Sequence, residues 1–281
     1  MIEPMKTGTE LLEEIRATRP GPGSISVWWL GQSGFLVKSA DATILIDPYL
    51  SEHLSAKYAG TARPYERMTR APFRGADLSG IDLLLASHKH SDHLDPGSVP
   101  DLMHMSVRAM LLLPASIVPH AESLGLAASR MLGMVAGQTV RAAGVSIRAI
   151  PSAHEGLDID SSGRHLYLGF VIEIGGIRLY HSGDCVVYDG LAEWIGAERV
   201  DVMFLPINGR DPSRGVAGNM NSREAVELAN RVRPRFVVPH HYDMFTFNTV
   251  PVGEFLDAAG GLEPGVSPRV LQCGERWEVR T

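Results

Sequence analysis

LLLASHKHSDHLDPGS, residues 83–98, is an apolar run that ends in a cluster of histidines and acids. Residues 81–87 have the length and leucine content of a fully buried strand. His88, His90, Asp92 and His93 follow immediately, and Asp95-Pro96 then has the pattern of a helix N-cap and first-turn proline. The ligand-type side chains are therefore expected between a strand and a helix.

The spacing within this cluster favours a metal site. His88 and His90 are two residues apart at a strand end, so their imidazoles point the same way. Asp92 and His93 follow where the chain turns, and the turn can aim them beside the first pair. Imidazole and carboxylate ligands suit zinc, and also manganese or iron. The plain alternative is a solvated polar turn, but His/Asp clusters of this density rarely form without a ligand.

Short β-rich runs account for much of the remaining chain. Turn residues separate the first three, which predicts an antiparallel meander over 24–30, 34–39 and 43–50. Further strands are expected at 109–114, 145–151, 167–174, 177–182, 201–207 and 235–240. Helical patterns occur near the N-terminus, at 116–125 and at 222–232, the last with Asn221 or Ser222 as cap. This alternation predicts sheets covered by helices.

Ligand-type residues recur after other predicted strands. His154 follows the run at 145–151, Asp184 follows the run at 177–182, and His240 and His241 end or follow the run at 235–240. In layered α/β folds, sites form where strand ends converge. We therefore expect these residues to lie close to the histidine cluster.

The pattern His88-x-His90-x-Asp92-His93, followed by a His, an Asp and a final His, resembles the metallo-β-lactamase superfamily. Four further stretches resemble, more narrowly, its L-ascorbate-6-phosphate lactonase-like branch: WWLGQSGFLVKS, LYHSGD, LPINGRD with GNMNSREA, and VPHHYDMFTFNT, which together span residues 28–249. The resemblance implies an α/β (α+β) fold, an αββα sandwich of two mixed β-sheets flanked by helices.

The resemblance also implies the ligand set and the cofactors. One or two divalent ions are expected, zinc or manganese, with iron as a further option. His88, His90 and His154 would bind one ion. Asp92, His93 and His241 would bind the second, with Asp184 between the two. The pattern of the branch after the proline favours His241 over His240.

Other polar residues are weaker candidates for substrate binding. Asn208 and Arg210 follow another predicted strand, and Tyr242 adjoins a predicted ligand, so all three are expected to contact substrate. The segment 57–74 carries four arginines, and we weigh a solvated loop against a lid that grips an anionic substrate. The remaining polar and aromatic residues have ordinary structural explanations: surface or core packing for His53, His104, His120, His165, Cys185, Trp28 and Trp29, and orientation of a ligand for His181.

Composition limits the class of protein. The chain has 281 residues, 44% of them hydrophobic, and no linker-like tract, which predicts a single domain over 1–281 with an N-terminal helical extension over 1–20. A net charge of −6 disfavours a nucleic-acid partner. No apolar run is long enough for a bilayer, and the first residues do not have the pattern of a signal peptide, so a cytoplasmic protein is expected. A homo-oligomer remains open.

Together these features predict a metal-dependent hydrolase that acts on an ester or lactone bond of a small, anionic, sugar-like metabolite. Asp92 is expected to be catalytic, as a carrier of the proton between the attacking water and the leaving oxygen. A phosphodiesterase or nuclease of the same superfamily is the first alternative. A non-catalytic metal-binding protein is the second.

Overall fold

The computed structural model describes residues 1–281 and contains fourteen strands and seven α-helices. The strands are β1 Ser24–Gly31, β2 Gly34–Lys38, β3 Thr43–Ile46, β4 Leu83–Leu85, β5 Met110–Pro114, β6 Met131–Met134, β7 Thr139–Ala142, β8 Val145–Pro151, β9 Leu168–Ile174, β10 Ile177–His181, β11 Val202–Pro206, β12 Phe236–His240, β13 Ser267–Pro268 and β14 Arg276–Arg280. The helices are α1 Gly8–Ala17, α2 His53–Lys57, α3 Val99–Met105, α4 Val118–Ser123, α5 Leu191–Gly196, α6 Ser222–Val232 and α7 Val252–Ala259.

The strands form two seven-stranded sheets, and each sheet has an antiparallel half and a parallel half. The first has the order β14-β1-β2-β3-β4-β5-β6 and the second the order β13-β12-β11-β10-β9-β8-β7. In the first, the pairs from β14 to β3 are antiparallel and those from β3 to β6 are parallel. In the second, the pairs from β13 to β10 are parallel and those from β10 to β7 are antiparallel. The predicted fold of two mixed sheets flanked by helices is confirmed.

The period of two in the strands explains how one sheet is buried on both faces. In β1, Ile25, Val27 and Trp29 face the core between the two sheets. The alternate residues Trp28 and Leu30 face a second core under the helices. This burial on both sides explains why the strand has an uninterrupted apolar sequence.

The N-terminal helix belongs to this second core. In α1, Leu11, Leu12 and Ile15 pack into the same cluster as Trp28. The indole Nε1 of Trp28 donates a hydrogen bond of 2.9 Å to Glu14 Oε1. The helix is therefore packed on the outer face of the first sheet.

The structure corrects several sequence-based boundaries. Strands β6, β7, β13 and β14 and helices α2, α5 and α7 were not predicted, because they are short or largely exposed and lack a clear apolar period. The helix after the histidine cluster begins at Val99 with Ser98 as N-cap, not at Asp95. The Asp95 carboxylate instead accepts hydrogen bonds from the backbone N–H of Leu50, Ser51 and Gly97. It fastens the loop after β3 to the loop that carries the histidines.

The helix predicted at 222–232 is confirmed in its capping as well as its extent. Asn221 is the N-cap of α6, its side chain accepts from the Glu224 N–H, and Glu224 accepts in return from the Asn221 N–H. None of the seven helices is both long and apolar enough to cross a membrane.

Candidate metal centre

Four strand ends bring the predicted ligands together at one edge of the sandwich. The histidine cluster follows β4, and His154, Asp184 and His241 follow β8, β10 and β12. Two groups result, each with its ligand atoms within 4.8 Å of one another: His88, His90, His154 and Asp184 in the first group, and Asp92, His93 and His241 in the second group. All seven residues predicted as ligands are therefore in these groups.

The Asp184 carboxylate connects the two groups. Its Oδ2 is 3.5 Å from His154 Nε2 of the first group and 3.5 Å from His241 Nε2 of the second. Its Oδ1 is 3.2 Å from His93 Nε2. Oδ2 therefore lies between the two groups and Oδ1 faces the second, so this carboxylate could be a ligand shared by two cations.

The close approach of two loops positions this carboxylate. Gly183, with φ of +60°, precedes Asp184 and lies against Ser87. A Cβ at position 183 would lie only 2.5 Å from the Ser87 Cβ. Glycine is therefore required here both for the left-handed backbone and for the contact between the β4 and β10 ends.

Unpaired polar atoms show that the groups fit a cation. His93 Nε2 and Asp184 Oδ1 are buried and have no hydrogen-bond partner, although they face each other. His88 Nε2 and His90 Nδ1 face each other at 2.9 Å. Buried polar atoms without partners are rare in folded proteins. The convergence of ring nitrogens and carboxylates is the donor set that divalent zinc, manganese or iron takes.

The balance of charges at the site also fits metal binding. Burial lowers the pKa of His90 to about 4, and burial together with the neighbouring His93 holds the pKa of His88 well below its usual value. Both imidazoles are therefore neutral at pH 7, as a metal ligand must be. Burial opposes a charge on His93 too, but the carboxylates of Asp184, Asp47 and Asp92 outweigh it and raise its pKa. Such a surplus of negative charge favours a cation.

Asp47 orients one of these histidines and was not identified from the sequence. Its Oδ2 lies 2.7 Å from His93 Nδ1, and its Oδ1 accepts from the Ser87 N–H at 2.7 Å. The Ser87 hydroxyl donates to Asp47 Oδ2 at 2.6 Å and lies 3.0 Å from His88 Nδ1. With Nδ1 directed to the carboxylate, His93 presents Nε2 to the centre. His154 is held similarly, by Nδ1 against the Gly218 carbonyl at 3.0 Å.

Two buried histidines lie behind the centre without joining either group. His181 Nε2 donates to the Ser33 carbonyl at 2.9 Å, and its Nδ1 accepts from the Gly183 N–H at 3.1 Å. Its ring stacks on His240, whose Nδ1 lies 3.1 Å from the Ser33 hydroxyl. His181 therefore orients no ligand directly, which corrects its expected role. His240 is directed to the β1–β2 turn, whereas His241 faces the centre.

The centre forms the floor of a cavity of about 430 Å³. An aromatic wall is built by Tyr58 and Tyr65, whose rings stack with centroids 4.6 Å apart. The remaining wall contains two lysines, a histidine, an amide, a serine and three apolar side chains: Lys57, Lys89, His120, Asn248, Ser91, Leu54, Val216 and Ala217. The volume is within the range of small-molecule sites, roughly 300–1,000 Å³.

Comparisons with known proteins agree with this geometry. The profile of the β-lactamase superfamily domain matches residues 26–241, a range that contains both ligand groups. A UPF0173 metal-dependent hydrolase from Methanosarcina mazei is 30% identical over 228 residues, which are 79% of this chain and 84% of the relative. The chain belongs to the metallo-β-lactamase superfamily, among the UPF0173 metal-dependent hydrolases.

Other relatives of this metal-dependent hydrolase extend the similarity over nearly the whole chain. A UPF0173 metal-dependent hydrolase from Pyrococcus furiosus is 29% identical over 259 residues, 91% of this chain and 100% of the relative. The structure of Igni18, a metallo hydrolase from Ignicoccus hospitalis, has a TM-score of 0.67 at 22% identity and covers 92% of this chain and 99% of its own. This likeness supports the fold. Neither relative's name gives a substrate, so the resemblance to the lactonase-like branch stays a prediction.

In this hydrolase, the three residues predicted to bind substrate lie outside the cavity wall. Arg210 forms an ion pair with Glu224 of the α6 cap. Tyr242 is 2% exposed, and its hydroxyl donates to the Leu271 carbonyl at 2.7 Å. The Nδ2 of Asn208 donates to Asn248 Oδ1 at 3.0 Å. Asn248, rather than Asn208, lines the cavity, because a buried strand-end side chain is directed by its hydrogen bonds and not by its sequence position.

The arginines of the segment 57–74 are likewise bound to the protein itself. Arg67 is buried and donates to the carbonyls of Thr69, Ser51 and Tyr49, which holds the segment against the loop after β3. The others pair as Arg63 with the Arg214 carbonyl, Arg70 with Glu3 and Arg74 with Asp77. The segment reaches the cavity through Lys57, Tyr58 and Tyr65 instead.

His120 and Lys89 were missed as cavity residues. Burial, and then the charges of Lys89 and Lys57, lower the pKa of His120, because the three side chains lie close together at the cavity. No local pattern marks His120, since only the tertiary fold brings α4 to the histidine loop. The packing assignments for Trp28, Trp29 and Cys185 agree with their burial, and burial raises the pKa of the Cys185 thiol to about 11.

Proposed function

We propose that this metal-dependent hydrolase cleaves an ester or lactone bond in a small, anionic, sugar-like metabolite. The observation that carries the proposal is the Asp184-bridged pair of ligand groups at the floor of a small cavity. A site of this size admits a metabolite and excludes a folded macromolecule. The resemblance to the ascorbate-phosphate lactonase-like branch supports the choice of bond.

The residues of the two groups would hold one or two ions, zinc or manganese by preference and iron as an alternative. Such an ion, when bound, supplies hydroxide at neutral pH and polarises the carbonyl under attack. Asp92 is partly open to the cavity, with 15% of its side chain exposed. In the proposal, Asp92 accepts the proton of the attacking water and returns it to the leaving oxygen.

The cavity wall supports an anionic substrate. Lys57 and Lys89 are exposed and line the same cavity as Asp92, and neither forms a salt bridge to a carboxylate in the structure. Burial, and then the charge of Asp92, raise the pKa of Tyr65 to about 12, so its hydroxyl remains a hydrogen-bond donor at neutral pH. The lysines would bind the anionic group, and Tyr65 would donate to the body of the substrate.

The test is an assay of the metal-reconstituted protein on four sets of compounds. Phosphorylated sugar lactones, neutral lactones, acyl esters and phosphodiesters are compared at equal concentration. We expect hydrolysis of lactones or esters, with the anionic compounds preferred. Activity confined to phosphodiesters would favour the phosphodiesterase alternative. Metal binding with no hydrolysis in any class would favour a non-catalytic protein.

A further inference from the structure

Gln32 is a fully buried amide in the turn between β1 and β2. Its backbone has φ of +50°, in the left-handed region that few residues other than glycine, asparagine and aspartate adopt. His241, with φ of +62°, donates its backbone N–H to the Gln32 carbonyl at 3.1 Å. Unfavourable backbone of this kind is retained where the surroundings or the function require it.

The side chain of Gln32 reaches the second ligand group. Its Nε2 donates to Asp92 Oδ2 at 2.8 Å and lies 3.1 Å from His241 Nε2. Its Oε1 is buried and has no hydrogen-bond partner. The reverse orientation of the amide would place two acceptors 2.8 Å apart, so the ionised Asp92 fixes Nε2 on its side.

These contacts are confined to one of the two groups. Gln32 forms hydrogen bonds with Asp92 and His241, and no hydrogen bond joins its side chain to the first group of His88, His90, His154 and Asp184. Asp92 lies on the loop after β4, whereas Gln32 lies in a tight hairpin of the same sheet. The amide therefore ties a loop carboxylate to a rigid turn.

We infer that Gln32 is a positioning residue for the second group: its side-chain amide holds Asp92 and its backbone carbonyl holds His241, and the amide contact sets how tightly that group binds its ion. Partners of metal ligands typically contribute about 10- to 100-fold to metal affinity. The inference rests on the metal dependence of the proposed function, but it concerns binding and not hydrolysis.

The test uses the full chain, stripped with chelator and titrated with Zn²⁺ in a calorimeter. Gln32→Asn is the main variant, because asparagine favours the left-handed turn yet is one methylene too short to keep the contact with Asp92. Gln32→Met is the second variant, since it keeps the length and removes the amide. His241→Ala identifies which of the two equivalents belongs to the second group.

Gln138, in the connection between β6 and β7, offers a matched control. Its Oε1 accepts from the Val135 N–H at 3.0 Å, and it does not line the cavity. Gln138→Asn should leave the affinities for both Zn²⁺ equivalents unchanged. Both Gln32 variants should weaken the affinity of the second group for Zn²⁺ by about 10- to 100-fold. The affinity of the first group should stay unchanged, and this unchanged value also shows that the variants are folded.

Three outcomes would overturn the inference. The wild type could bind only one Zn²⁺ ion, the Gln32 variants could lose affinity for both ions together, or neither variant could change the affinity for either ion. None of these readouts depends on a substrate. A protein that shows the expected affinities but hydrolyses nothing would refute the proposed function and leave the role of Gln32 standing.

Discussion

Asp47→Asn should weaken metal binding by the second group, because it reverses the hydrogen bonding of His93. In the wild-type protein, Asp47 Oδ2 faces two donors, the His93 Nδ1 at 2.7 Å and the Ser87 hydroxyl at 2.6 Å. The variant can keep Oδ1 on the Ser87 N–H, which places the new NH₂ group where Oδ2 was. The serine hydroxyl can rotate to accept. The new NH₂ group would then oppose the N–H at His93 Nδ1. His93 can avoid this clash of two donors only by carrying its proton on Nε2 instead, the atom that faces Asp184 and the metal site.

The size of the effect follows from the bond that is lost. A hydrogen bond to a charged group contributes about 1.5–3 kcal/mol, which corresponds to about 10- to 150-fold in affinity. The first group should change much less, since Asp47 reaches it only through Ser87 and His88. Asparagine tolerates the φ of +43° at this position, so the backbone adds no further cost.

Zn²⁺ titration of the stripped protein measures the affinity, and ¹⁵N NMR of the imidazoles reports which nitrogen of His93 carries the proton. Asp82→Asn is the matched control, because Asp82 Oδ2 accepts from the Thr43 N–H at 2.9 Å at the neighbouring strand and has no hydrogen bond to a histidine. Asp82→Asn should leave the affinities for both Zn²⁺ equivalents unchanged. An Asp47→Asn protein that keeps wild-type affinity, with the proton still on His93 Nδ1, would refute the reasoning.

The remaining expectations concern catalysis, recognition and pH. Asp92→Asn should lower kcat by about 100-fold or more while the circular dichroism spectrum is unchanged, since proton transfer typically contributes that much; a wild-type kcat would remove its role. Lys57→Gln and Lys89→Gln should each raise KM for an anionic substrate by about tenfold with kcat nearly constant, the loss of one charge-assisted bond, and should not affect a neutral analogue. Arg210→Ala should leave kcat and KM unchanged and lower the melting temperature slightly, because an exposed ion pair contributes about 0–1 kcal/mol. The metal-free protein should lose stability in urea as pH falls from 6.5 to about 4, because the folded pKa of His90 lies below its usual 6.5 and the unfolded chain binds the extra proton; His90→Gln should flatten that slope.

Short-range pattern was sufficient for much of the fold. A strand buried on both faces reads as a continuous apolar run, and the meander and the α6 capping box are encoded within a few residues. Elements with weak local signals were not predicted from the sequence. Examples are β7, which is half exposed, and the two-residue β13. Their strand geometry comes from pairing with β8 and β12, and pairing is a tertiary property.

The ligands themselves were accessible from the sequence because each follows a strand, and strand ends of a layered sandwich meet at one edge. His88, His90 and Asp184 needed no long-range information beyond that rule, whereas the choice of His241 over His240 came from the family resemblance. The residues that line the cavity did not follow from it. Arg210 also follows a strand, yet the nearby Glu224 carboxylate binds it, and local sequence does not reveal which partner a side chain finds first.

The sequence by itself therefore determined the type of chemistry: a dense histidine and carboxylate cluster between a buried strand and a helix. Only the tertiary structure decided which residues orient that cluster and which line the cavity. Asp47 meets His93 across 46 residues because β3 pairs in parallel with β4, and Gln32 meets His241 across 209 residues because a hairpin of the first sheet abuts a strand end of the second. The physical reason is that a hydrogen-bond partner is selected by distance and angle in the folded chain, and those depend on sheet order and packing rather than on neighbours in the sequence.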